Sequence, residues 1–264
     1  MKKEKALEVF DQYVNLYDVT DIKIKLKIDH TYRVAEIAEK IGGSVGADPD
    51  FSWFLGLLHD IGRFEQLKRY QTFIDRDSVD HAELGADILF SDGMIDAFPV
   101  DAFMLQRPGD DKYDAMHIIE TVIRLHNKLE LPSRLDDTTL LYCRILRDAD
   151  KVDIMRVLTE PPYDERNERI VKDSGEGRTD LAGEDVMRCV QKHCCVPRSI
   201  VRTDFESLIS QCCMCFELCF PISREIVRKQ GYLDLLMNLP VADHRMASQL
   251  DTLRVEMKKA RESV

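Results

Sequence analysis

The chain has 264 residues, enough to bury a sizeable core as one large helical domain or as a domain with a C-terminal extension. Its 37 Lys and Arg against 48 Asp and Glu give a formal net charge of -11, which argues against general affinity for nucleic-acid backbones or anionic membranes. The N-terminus MKKEKALEVFDQY lacks the apolar core of a signal peptide and no uncharged apolar run reaches bilayer length, so a cytoplasmic protein with no membrane partner is expected.

Apolar residues at helical spacing (Leu7, Phe10, Tyr13, Val14, Tyr17) predict a first helix over Ala6 to Tyr17. A second is predicted from about Ile22 to Ile41, ended by Gly42-Gly43. Pro49 then opens a helix through Phe51, Trp53, Phe54, Leu57 and Leu58 that is apolar nearly all round and belongs in the middle of the fold, with His59 and Asp60 at its C-terminal end. Arg63 to Ser78 mixes charge with aromatics in no clear period and reads as a loop or short helices. Ser78 or Asp80 is placed to cap the helix carrying His81, Leu84, Ile88 and Leu89.

Ser91 to Asp111 is again irregular, with a Pro108-Gly109 turn signal. Helical spacing returns from Lys112 to His126 and from Asp136 to about Leu158. Glu160 to Gly177, with Pro161-Pro162 and little apolar content, reads as a charged linker or mobile loop. Three or four further helical segments follow, ending in a charged helix from Asp243. No alternating strand pattern appears, so the fold class is all-α: a helical core over 1–158, a linker over 159–178, and a C-terminal helical extension over 179–264 packing on the core.

Seven of the eight cysteines lie between Cys189 and Cys219, in a pattern unsuited to a disulfide framework; they read as reduced thiols acting as small buried hydrophobes. A zinc site drawn from His193, Cys194 or Cys195, and two of Cys212, Cys213 and Cys215 is the weaker reading, because adjacent cysteines do not readily converge on one tetrahedral ion.

His30, His59, His81 and His126 fall within or beside predicted helix ends, and Asp60 and Asp150 accompany them in apolar surroundings. A single histidine on an apolar face is more often a packed side chain than a ligand. The combination carries more, because an aspartate directly after a histidine in Leu57-Leu58-His59-Asp60-Ile61-Gly62 is costly to bury without a cation. The order His30, then His59-Asp60, then Asp150 in Arg147-Asp148-Ala149-Asp150-Lys151 resembles the HD-domain superfamily of metal-dependent phosphohydrolases over about residues 25 to 155.

That resemblance implies an HD-domain helical bundle with additional C-terminal helices. It implies that His30, His59, Asp60 and Asp150 hold one ion, and that Asp60 bridges to a second held by His81 and His126, which resemble the extra histidines of dinuclear members. Mixed imidazole and carboxylate ligation suits iron, manganese, cobalt, nickel or zinc. Two such ions about 3.5 to 4 Å apart would activate a bridging hydroxide for attack on a phosphate ester and neutralise phosphoryl oxygens.

Asp60, Arg63 and Lys151 are thus the catalytic candidates, and Arg33, Arg63 and Lys151 the candidates for gripping the phosphate. Arg33, one turn after His30, also reads as a surface ion pair; Asp153, one turn after Asp150, reads as a group that orients a ligand histidine or, with Lys151, as a solvated charge pair, and Asp148 as a solvated charge. The cyclic-dinucleotide branch of the superfamily has Lys where Arg63 stands, and its Gly-Tyr-Pro segment is absent here, so its substrate is not carried over. A small phosphorylated substrate, nucleotide-like, is the expected partner. Two other readings fit the same scaffold: a mixed-valent di-iron oxygenase with the same ligand set, and a non-catalytic nucleotide sensor whose residues 179–264 dock a partner.

Overall fold

A computed structural model of the protein describes residues 2–103, 112–175 and 180–262, and among these there is no strand. The chain divides into two compact units, residues 1–150 and 151–264.

In the first unit, α1 (Lys2–Val14) buries Ala6, Phe10 and Val14, one residue per turn. Helix α2 (Ile22–Ser44) is capped by Asp21, whose carboxylate accepts from the Lys23 amide. It runs through Gly42 and Gly43 instead of ending there. Gly42 serves close packing: a Cβ on it would lie 2.2 Å from Ser52 Oγ, and the chain reverses at Gly46, where φ is +76°. Helix α3 (Pro49–Leu58) starts from the Asp48 cap with proline in its first turn, and every residue from Phe51 to Leu58 is buried, as its all-round apolar pattern predicts.

The stretch from Arg63 is more regular than its mixed composition indicates. It continues helix α4 (Ile61–Tyr70), which buries Phe64, Gln66 and Leu67 while its charges pair outside, Arg69 with Glu65 at 2.7 Å. Gln71, in the left-handed conformation, ends it. A loop then leads to α5 (His81–Ala86), capped by Asp80, which accepts from the Ala82 and Glu83 amides. A π-helical turn (Asp87–Ser91) and α6 (Val100–Phe103) follow; the Pro108-Gly109 signal lies outside the described residues. Helices α7 (Lys112–Leu125) and α8 (Asp137–Val157) match their expected spans within a residue or so.

The boundary between the units falls inside α8, between Asp150 and Lys151, where the sequence reading has the first domain run to 158. The stretch read as a charged linker contains a helix, α9 (Tyr163–Gly175). Its buried positions are Arg166, Asn167, Ile170 and Ser174, so helical spacing is present but carried by polar groups, which apolar periodicity does not register. The second unit continues with α10 (Glu184–Gln191), α11 (Asp204–Cys213), α12 (Pro221–Gln230), α13 (Tyr232–Met237) and the charged α14 (His244–Glu262). Its core includes Val186, Val190, Phe205, Leu208, Leu233, Leu236, Leu250 and Leu253. No helix among the described residues is long and apolar enough to cross a membrane.

Candidate metal centre

Two close backbone approaches assemble the polar centre of the first unit. Gly56 of α3 lies against α2 so tightly that a Cβ there would sit 2.6 Å from Ala35 Cα, and the His30 and His59 rings end 5.3 Å apart. Gly62, just after the His59-Asp60 pair, faces α5: a Cβ there would meet His81 O at 2.2 Å and Gly85 N at 2.6 Å. A side chain at either glycine would force these helices apart. Helices α7 and α8 then contribute His126, just past the end of α7, and Asp150.

Asp60 lies between two pairs of histidines. Its Oδ2 is 3.6 Å from His30 Nε2 and 3.5 Å from His59 Nε2, while its Oδ1 is 3.5 Å from His81 Nε2 and 3.8 Å from His126 Nε2. Asp150 Oδ1 closes the first side, 3.2 Å from His30 Nε2 and 3.9 Å from His59 Nε2. The six side chains thus form two groups, His30 with His59 and Asp150, and Asp60 with His81 and His126; within each group the ligand atoms lie within 4.8 Å of one another. The four histidines and Asp60 are buried.

The proton positions show why this donor set suits cations. His59 Nδ1 donates to Gly56 O at 2.7 Å and His126 Nδ1 to Ile123 O at 2.7 Å, so in the neutral rings both Nε2 atoms carry lone pairs. His81 Nδ1 donates to Asp75 Oδ2 at 2.8 Å, which leaves its Nε2 lone pair facing His126 Nε2 at 3.0 Å. Burial, then His81 and His59, push the His126 imidazole down to about 3; burial and Arg63 also lower His81. Both rings are therefore neutral near pH 7, and two lone pairs point at each other. His59 Nε2 is likewise buried without a hydrogen-bond partner and faces the two carboxylates. A cation between His81 Nε2 and His126 Nε2 converts their repulsion into two bonds.

The carboxylates are held ionised. Burial pushes Asp60 upward, but Lys27, His59 and Arg63 outweigh it and keep its carboxyl well below the usual range. Asp150 is also lowered, its contacts with His30 and His59 overcoming burial. Asp75 is lowered in the same manner by His81 and Arg63.

Of the cationic candidates, Arg63 reaches the centre: its Nε is 3.6 Å from Asp60 Oδ1, and its Nη1 donates to Gln66 Oε1, Phe73 O and Asp75 Oδ1 at 2.7 to 2.9 Å. Arg33 is half-buried one turn beyond His30, and the basic group that meets Asp60 from α2 is Lys27, one turn before, with Nζ 2.7 Å from Oδ2. Lys151 donates to Glu217 Oε2 at 2.8 Å. Asp148 and Asp153 are buried instead of solvated, as are their α8 neighbours Tyr142, Leu146, Ala149 and Val152.

Two residues near the centre escape the sequence reading. Lys27 shares a face with His30 by its three-residue spacing, but Lys23 and Lys25 beside it make it look like one of a solvated series. Asp75 sits in the loop after α4, where nothing periodic marks it, yet it orients His81 and is itself reached by Asn127 Nδ2 at 3.3 Å. No group of potential metal ligands among the described residues includes a cysteine.

No curated protein and no solved structure matches the chain. Residues 28–155, the span from the start of the His30 turn to the end of the Asp150 segment, match the HD domain. The matched segment is an HD domain, whose superfamily is of metal-dependent hydrolase type, and it carries clustered histidines and aspartates suited to divalent ions.

Proposed function

We propose that the protein is a phosphohydrolase that uses two divalent transition-metal ions to cleave a small phosphate ester, nucleotide-like in character. The observation that carries this reading is the division of Asp60, one oxygen toward His30 and His59, the other toward His81 and His126. His30, His59, Asp60 and Asp150 would hold one ion, and Asp60, His81 and His126 the other, with iron, manganese, cobalt, nickel or zinc suited to the donors. Bound ions of this kind supply an activated water and neutralise charge on phosphoryl oxygens.

The chain's own groups do the rest. Gly56 O, Ile123 O and Asp75 orient three imidazoles with Nε2 toward the centre. Arg63, held by Gln66, Phe73 O and Asp75 beside Asp60, is placed to offer its guanidinium to a phosphoryl oxygen. Arg33 and Lys151 are the further phosphate candidates; Lys151 would have to leave Glu217 to serve. The net charge of -11 supports a small substrate over a nucleic-acid partner, and the eight free cysteines support a reducing, cytoplasmic setting.

The test is a panel of phosphate monoesters and diesters assayed with zinc or manganese in the absence of oxygen. Phosphate release should be abolished by chelation and fall in Asp60→Asn by more than the roughly 10- to 100-fold that loss of a supporting partner brings. Oxygen consumption by an iron-loaded protein that releases no phosphate would overturn the proposal in favour of an oxygenase.

A further inference from the structure

The charges around Asp60 are more evenly matched than ion binding alone requires. Lys27 is buried, and its Nζ lies 2.7 Å from Asp60 Oδ2, the oxygen that faces His30 and His59. Arg63 Nε lies 3.6 Å from Oδ1, the oxygen that faces His81 and His126. Each oxygen of the central carboxylate therefore has a fixed cation beside it as well as a pair of imidazoles. Lys27 Nζ and the Arg63 guanidinium also share one apolar roof, at 5.6 and 5.7 Å from the Phe73 ring centroid. Water screens them little, so charges a few ångströms apart act strongly on one another.

Asp60 and Asp75 pair with these two cations, Asp150 adds a third carboxylate beside His30, and imidazoles that serve as ligands are neutral. Little negative charge is left over. A first divalent ion more than cancels it, and a second would enter surroundings that are already positive. A dianion of the phosphate class, bound at the same place, would reverse that penalty.

We propose that Lys27 is a resident counter-cation of Asp60 that sets how many divalent ions the pocket keeps, so that the second ion is retained together with a phosphate-class anion. The inference rests on the two-ion reading above. Lys27 acts here through Asp60, as a positioning residue, and the ion's affinity reports on it directly.

Metal-stripped full-length protein, dialysed to equilibrium against manganese with and without inorganic phosphate, tests this. The wild type should bind a second manganese at least about tenfold more weakly than the first, and phosphate should narrow that gap. Lys27→Met, matched in length and without charge, should narrow it with no phosphate present, and Lys27→Arg should restore it. Equal binding of two ions by the phosphate-free wild type, or a Lys27→Met protein that binds manganese as the wild type does, overturns the proposal. If Lys27→Met does not fold, the phosphate arm on the wild type and Lys27→Arg decide, and a gap indifferent to phosphate overturns it. Failure of the phosphohydrolase reading is seen separately, as a manganese-loaded wild type that releases no phosphate.

Discussion

Both units of the chain carry a conspicuous set of potential ligands, and they differ in what those side chains do. In residues 1–150, four histidines and two aspartates from segments far apart in sequence converge with their ligand atoms grouped. In residues 151–264, seven cysteines crowd into the short stretch from Cys189 to Cys219, yet none joins a ligand group among the described residues. Cys194 Sγ and Cys195 Sγ donate to the main-chain oxygens of Cys189 and Cys213, and burial pushes the Cys212 and Cys213 thiols far above their ordinary range. Cys212, Cys213 and Cys215 are apolar packing, while Cys189, Cys194 and Cys195 are half-buried and Cys219 is exposed, so the cluster is not buried throughout as its composition suggests. What makes a site is a second partner for each ligand, such as Gly56 O for His59 or Asp75 for His81, that decides which atom faces inward. Density along the chain does not supply it.

The sharpest way to break this contrast is Gly62→Ala. The added methyl would meet His81 O and Gly85 N, both backbone atoms that cannot swing aside. Denaturant unfolding should show a loss of about 1–3 kcal/mol, and dialysis should show the ion at Asp60, His81 and His126 lost. Full retention of both would mean that the α4 to α5 approach does not position the site. Asp75→Asn, nearly isosteric, removes the charge that holds His81 Nδ1 as a donor. Metal affinity should fall by roughly 10- to 100-fold with the fold intact by circular dichroism, and an unaltered affinity would remove Asp75 from the ligand scaffold. The mildest change belongs to the other unit: Cys194→Ala combined with Cys195→Ala should leave metal content unchanged and stability within about 1 kcal/mol. Loss of a bound zinc ion from that variant would erase the difference between the two regions.

Much of the fold is legible in the sequence. Apolar spacing located α1 to α3, α7 and α8, since those helices bury continuous hydrophobic faces. It missed α9 and blurred α4, where Arg166, Asn167, Ser174 and Gln66 occupy buried positions that an apolar pattern assigns to solvent. The candidate ligands were readable for a different reason: histidine and aspartate in apolar runs are expensive unless paired, so their positions draw notice even without a periodic signal.

Sequence alone determined that the chain is helical and marked His30, His59, Asp60, His81, His126 and Asp150 as ionisable residues set in apolar surroundings, because helix formation and the penalty for burying charge depend on neighbours within a few turns. Only the tertiary structure decided that Asp60 divides its oxygens between two histidine pairs, that Lys27 meets it from α2, and that Lys151 turns to Glu217. A long flexible side chain goes where distant segments leave it a partner, and the packing of those segments is a property of the whole fold that no local pattern contains.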